Sequence, residues 1–183
     1  GRTKDGRFMP PGSGPALWLC YTGMGLQILD HFGYSHDTRV RSSWKTLIET
    51  VLSGPEHLAC PLAFGPCQDG LIRVLGALLH RPISERGSQD RTALDIVRRQ
   101  LTQHAVLLDR RGRNEQRLHF PRYDHTDLIE VVHTLAQTQD RAHPRVGELL
   151  ETMLSLQDEN GRWRKMTTTP ALIVESLQEP SRW

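Results

Sequence analysis

Leu154-Ser155-Leu156-Gln157-Asp158-Glu159-Asn160-Gly161-Arg162-Trp163 is the stretch that decides the fold. It reads as the end of an amphipathic helix, then a glutamine, a short acidic turn, a glycine and a tryptophan. Gly161 suits the left-handed turn that ends a helix. Trp163 brings a large apolar face and an indole N–H that needs a partner, so it is expected to lie largely buried against Gln157. Upstream, Pro144 to Gln157 carries Leu149, Leu150, Met153 and Leu154 at helical spacing.

Working outward, the same organisation recurs. Cys20 to Leu29, Cys67 to Leu75 and Tyr123 to Val132 each start after a turn and run apolar. A more polar helix follows each: Thr38 to Leu52, Arg91 to Leu108 and Pro144 to Gln157. The first and last polar helices share an entry, Arg39-Val40 and Arg145-Val146, and Leu47, Val51 and Leu52 continue the apolar stripe of the first. Units at roughly fifty-residue spacing are the mark of stacked helical repeats. Six helices follow, with Leu26, Leu29, Leu71, Leu75, Leu128 and Val132 in the core. Punctuation agrees. Pro15 suits the first turn of the opening helix and Gly33 its end. Asp37 suits the N-cap of the second helix and Gly54-Pro55 its stop. Asp90 is placed to cap the fourth helix. Asp124 is placed to cap the fifth, with Asp127 as its capping-box partner, and His143-Pro144 opens the sixth.

The Gln157, Gly161 and Trp163 spacing resembles the QW motif of the terpenoid-cyclase and protein-prenyltransferase superfamily, and the chain resembles bacterial squalene-cyclase-like and prenyltransferase-like repeat proteins. The resemblance implies an all-α fold, a partial α/α toroid of about three helical hairpins. In the family the glutamine caps carbonyls near a helix end and stacks on the tryptophan, tying one hairpin to the next. Lys4-Asp5-Gly6-Arg7-Phe8 resembles the tail of a preceding motif, with Phe8 in the tryptophan position. Pro180-Ser181-Arg182-Trp183 resembles the lead-in to a further helix. The division that follows is a lead-in over 1–14, a hairpin-repeat domain over 15–163 and a tail over 164–183. A full toroid has about twice as many helices, so missing repeats enter as partners.

The 183 residues suit one domain with a real core. The apolar fraction of 37% is low, which reads as many exposed helix faces. No run reaches the roughly eighteen apolar residues of a membrane span. Three cysteines, an odd number, fit reduced thiols and a cytoplasmic setting. A net charge of +2 is too small to call for nucleic acid, and no interleaved aromatic pattern suits a single strand. The cluster Arg98, Arg99, Arg110, Arg111, Arg113, Arg117 and Arg122 reads as a solvated helix and loop, or as a phosphate fork for a lipid diphosphate.

Candidate chemistry gathers where the apolar helices begin. In a curved double layer these line the inner wall, and their N-termini share one rim that favours anions and thiolates. Cys20 and Tyr21, then Cys67 and Asp69, then Tyr123 stand at those starts, with His119 entering by a loop. Cys60, Cys67, His125 and one of His57 or His119 are candidate ligands for zinc, which mixed thiolate and imidazole suit. The resemblance sharpens this: in zinc prenyltransferases a cysteine after Asp-Gly and a later Tyr-His bind the ion, and here Gly65-Pro66-Cys67 and Tyr123-Asp124-His125 are similar, with Gly65 in the aspartate's place. Each candidate also has a plain reading, as a small buried thiol or a hydrogen-bonded helix start. In triterpene cyclases an aspartate protonates an alkene. Asp124 and Asp127 are the nearest candidates, and a helix cap accounts for the same pair. Carbocation chemistry also needs aromatic walls, and aromatics are 6% of the chain. Two functions stand at this stage. One is a prenyltransferase- or cyclase-like domain taking an isoprenoid or other apolar ligand on its concave face. The other is a non-catalytic helical-repeat module that binds a protein partner.

Overall fold

The protein is all-α. The computed structural model describes Phe8, residues 18–59, 66–103, Thr126 and residues 128–163. Six α-helices run through these residues: α1 Leu19–His31, α2 Thr38–Leu52, α3 Gln68–His80, α4 Ser88–Gln103, α5 Leu128–Ala136 and α6 Pro144–Ser155. Pro55–Leu58, Ile83–Glu85 and Gln139–Ala142 form short 3-10 turns between them. The described residues contain no β-strand, only isolated bridges.

The helices pair as hairpins: α1 with α2, α3 with α4, α5 with α6. α1, α3 and α5 pack side by side in that order, and α2 packs beside α4. The third hairpin is tied to the rest through α3 and through an ion pair from Arg98 on α4 to Asp140 in the turn before α6. No helix of the described residues is long and apolar enough to cross a membrane.

Sequence punctuation sets the helix ends. The Asp37 side chain accepts the Arg39 backbone N–H at 2.8 Å and opens α2. His143 does the same for α6, its Nδ1 accepting the Arg145 N–H at 3.2 Å. In both helices the next residue, Val40 or Val146, is buried. The shared Arg-Val entry is therefore one structural device used twice: a polar N-cap that turns the following valine into the core. Gly33 has a positive φ of +80°, as the turn that ends α1 requires. Gly161, at +72°, sits beyond the end of α6 in the turn between Asp158 and Arg162 rather than at the helix end itself.

Several boundaries differ from the sequence reading. α4 starts at Ser88, before the expected Arg91, because Asp90 acts from inside its first turn. The Asp90 carboxylate accepts the Gly87 N–H at 2.8 Å and pairs with Arg81. α6 ends at Ser155 rather than Gln157. α1 begins at Leu19, and Pro15 lies outside the described residues. Leu26, Leu71, Leu75, Leu128 and Val132 are buried as expected, but Leu29 is only partly so, packed at the edge of the core. Leu150 and Leu154 are exposed although they share the apolar spacing of α6, since that helix rests on its neighbours through Val146 and Leu149.

The α1–α3 contact is the most extensive between the described helices. Two glycines make it close. A Cβ on Gly23 of α1 would stand 2.7 Å from the Arg73 carbonyl carbon and oxygen. A Cβ on Gly70 of α3 would stand 2.9 Å from the Leu19 Cβ. Gly147 in α6 has nothing within 4 Å of its absent side chain. The two classes of helical glycine should respond in opposite directions to alanine. Gly23→Ala should lower stability by about 1–3 kcal/mol, because the obstructing atoms are helix backbone and cannot rotate away. Gly147→Ala should raise it by about 0.5–1 kcal/mol through helix propensity. Urea denaturation of the two variants measures both.

Candidate functional site

The first-row helices α1, α3 and α5 are laid out in a constant register. Residues 49 apart face each other across α1 and α3. The Arg73 guanidinium reaches the Met24 sulfur at 3.4 Å. The Gln27 side chain lies 3.7 Å from the point where a Gly76 Cβ would stand. The His31 and His80 rings are 5.8 Å apart. Between α3 and α5 the spacing is 57. Asp69 accepts from the Thr126 backbone N–H at 3.0 Å and from its hydroxyl. Arg73 pairs with Glu130 at 3.0 Å. Each helix thus presents one stripe: Cys20, Met24, Gln27 and His31; Asp69, Arg73, Gly76 and His80; Thr126, Glu130 and His133. The stripes meet as a polar surface crossing three helices.

Arg73 is the centre of this surface. It touches α1 through Met24 and α5 through Glu130. The side chains of Arg73 and Glu130 are 12% and 21% exposed, so the pair is largely withdrawn from water, where ion pairing is strong and an unpaired charge is costly. Below it, Asp69 ties the first turn of α3 to the residue ahead of α5. Asp69, expected at a ligand rim, is here a structural acceptor for Thr126, which is fully buried.

The other rim candidates fare unevenly. Cys20 and Cys67 are half-buried thiols at the starts of α1 and α3. Cys67 is the N-cap position of α3, and its N–H donates to the Leu58 carbonyl at 3.2 Å. Tyr21 is exposed and stands edge-on to Trp18, with ring centres 6.0 Å apart. His57 sits in the Pro55–Leu58 turn and faces Glu56 at 3.6 Å. Cys60, His119, Tyr123, Asp124, His125 and Asp127 lie outside the described residues. Among the described residues no three histidine, cysteine or acidic side chains come together to hold a metal. Of the arginine cluster, Arg98 is engaged by Asp95 and Asp140 and Arg99 is exposed; Arg110, Arg111, Arg113, Arg117 and Arg122 lie outside the described residues.

The QW segment closes on itself. Gln157 and Trp163 pair as an isolated antiparallel bridge. The Gln157 amide donates to the Gly161 carbonyl at 2.9 Å. Asp158 accepts the N–H groups of Asn160 and Arg162. The helix carbonyl is taken by the tryptophan, not the glutamine: Trp163 Nε1–H donates to the Met153 oxygen in the last turn of α6, at 2.8 Å. Trp163 is 44% exposed, which corrects the expectation of a largely buried ring. Its N–H reaches a helix end at the surface, so its ring lies along α6 rather than under it. Phe8, expected to mimic such a tryptophan, packs its ring on Gly25 and donates its N–H to the Thr22 hydroxyl at 3.4 Å.

At the C-terminal ends of α1 and α3 stands a second polar group, which the sequence did not reveal. Trp44 of α2 is fully buried. Its Nε1–H donates to Asp30 at 3.1 Å, and the Arg81 guanidinium lies 4.7 Å over its ring. Burial pushes the Asp30 carboxyl above its ordinary value. The Trp44 hydrogen bond opposes the rise, Glu85 adds to it, and Arg81 and His80 oppose it.

A pocket of about 220 Å³ opens beside this group, lined by Phe8, Leu29, Tyr34, Asp37, Arg39 and Val40. Small-molecule sites usually span roughly 300–1,000 Å³, so it is small for a long isoprenoid. Searches of family models, of curated proteins and of solved structures each gave no match to this chain.

Two outcomes test this geometry. Arg73→Met should cost about 1–3 kcal/mol by leaving Glu130 without its cation, less than a fully buried pair because both groups keep some water. Adding Glu130→Leu should recover most of the loss in a double-mutant cycle. For Asp30 the folded carboxyl binds its proton more readily than the unfolded one, whose value is near 3.8. Its contribution to stability is therefore most favourable below 3.8 and falls as pH rises through the folded-state value. Asp30→Asn should be more stable than the parent at neutral pH, and the difference should vanish as pH is lowered past that window. Thermal melting of both proteins across pH 3–7 reads it.

Proposed function

We propose that this chain is an arc of an α/α-toroid-like helical array that works as a non-catalytic binding module for a protein partner. The observation that carries this reading is the composition of the first-row surface. Met24, Gln27, His31, Arg73, His80, Glu130 and His133 lie along it, and three helices present them in fixed register. The exposed imidazoles and the half-buried Gln27 amide, set around the covered Arg73–Glu130 pair, offer hydrogen bonds to a polypeptide. Among its described residues this surface offers little to a polyisoprene chain, and no π faces to a carbocation apart from the histidines.

The Gln157–Trp163 turn favours kinship with the terpenoid-cyclase and prenyltransferase superfamily as a matter of architecture. A turn that returns an aromatic N–H to the end of its own helix is a means of fixing where the next hairpin would begin. Architecture of this kind does not carry chemistry with it.

The test compares two faces. A photo-crosslinking residue at Gln27 or His133 samples the first-row surface, and one at Lys45 samples the exposed face of α2. In extract from the source cells, the first two should give a discrete protein adduct that Lys45 does not. Equal labelling from all positions would overturn the reading. So would saturable uptake of a prenyl diphosphate with release of a transferred or cyclised product.

A further inference from the structure

The register that builds the first-row surface also brings two imidazoles together at its far end. His31 is the last residue of α1, and His80 the last of α3. Their ring centres stand 5.8 Å apart with a tilt of 37°. Both residues are exposed, and the His31 ring also stands edge-on to Phe32, with ring centres 5.3 Å apart.

We propose that His31 and His80 form a two-histidine site for a divalent transition-metal ion, which clips the C-terminal ends of α1 and α3 together. Imidazole is a good ligand for zinc, copper and nickel. An ion about 2.0–2.1 Å from one nitrogen of each ring lies roughly 3.2 Å from each ring centre, so two ligating rings stand up to about 6.4 Å apart. The observed 5.8 Å is within that limit, so rotation of the two exposed side chains would bring one nitrogen of each to a shared ion. The backbone is already set, because Gly23 and Gly70 lock α1 against α3 further along the same contact.

The surroundings favour a cation. Both histidines cap the negative end of a helix dipole. Asp30 lies within electrostatic reach of His80 and of Glu85, and Glu85 faces His36 at 3.5 Å. Arg81 is the opposing charge, and it is occupied by the Trp44 ring and by Asp90. No third histidine, cysteine or acidic side chain of the described residues completes a cluster with them. The described residues therefore supply two ligands, and the other positions of the ion are open to water or to a group from a partner. This site lies at the opposite ends of α1 and α3 from the thiols Cys20 and Cys67.

The experiment uses the full chain, stripped with chelator and titrated with nickel chloride by calorimetry, with melting temperature followed in parallel. One ion per chain should bind, and the melting temperature should rise with it, since an ion held by the folded state alone stabilises that state. His31→Gln and His80→Gln should each weaken binding by at least about tenfold, the loss expected when a two-point attachment becomes one-point. The double variant should bind more weakly than either single one, because it also loses the remaining one-point attachment. Both residues are exposed, so these variants should fold and melt like the parent without metal. His57→Gln should leave binding unchanged. With copper in place of nickel, the imidazole signals of His31 and His80 should broaden together at substoichiometric ion. Absence of saturable binding overturns the proposal. So does unchanged affinity in either single variant, or a loss on His57→Gln equal to that on His31→Gln.

Discussion

The fold depends on how closely α1 approaches α3. At Gly23 the backbone of α3 occupies the space that any side chain would need, and at Gly70 the Leu19 side chain does the same. Helix pairs separated by large side chains can slide or rotate by exchanging rotamers. A pair held against helix backbone at Gly23 and against the Leu19 Cβ at Gly70 cannot, because neither the backbone nor a Cβ can swing away by a rotamer change. That fixes the stagger, and the stagger decides which residues are lateral neighbours. Met24 with Arg73, Gln27 with Gly76 and His31 with His80 are all consequences of one packing constraint.

Around that contact, the charged groups act as struts between elements. Arg73 joins α3 to α5 through Glu130. Arg81 joins α3 to α4 through Asp90 and to α2 through the Trp44 ring. Arg98 joins α4 to the turn before α6 through Asp140. These guanidiniums are mostly covered, so each needs its acid, and replacing one partner alone should be worse than replacing both. A planar, permanently charged fork suits the task of spanning two helices at once. The low apolar content of the chain and its well-filled core are compatible for this reason: several contacts between hairpins are ionic at their edges.

The sequence disclosed the elements better than their relations. Asp37, Gly33, Gly54 and His143-Pro144 mark helix ends by local chemistry, and each end lies where that chemistry puts it. Asp90 misled because an acid three residues from a glycine can cap a helix from within its first turn as well as from in front of it. Trp163 misled differently. Its need for an N–H acceptor was legible, but whether the ring then lies under a helix or along it depends on what neighbours α6, which no local pattern specifies. The strings Cys20-Tyr21-Thr22-Gly23 and Cys67-Gln68-Asp69-Gly70 align by sequence 47 apart, whereas the contacting residues are 49 apart. A two-residue stagger corresponds to about 3 Å along a helix, enough to set Arg73 against Met24.

The same stagger decides which side chains lie together along the first-row helices. Sequence directs attention to helix starts, where cysteines and acids invite comparison with known chemistry. At those starts the described groups serve the fold: Asp69 holds Thr126, and the backbone of Cys67 closes the loop onto Leu58. The side chains left available for recognition lie further along, as Gln27, His31, His80 and His133. Individually each is an ordinary polar residue on an amphipathic helix. They become a surface only because close packing at Gly23 and Gly70 brings successive repeats into a shared register, a long-range property that enters the sequence as two glycines with no side chain to draw notice.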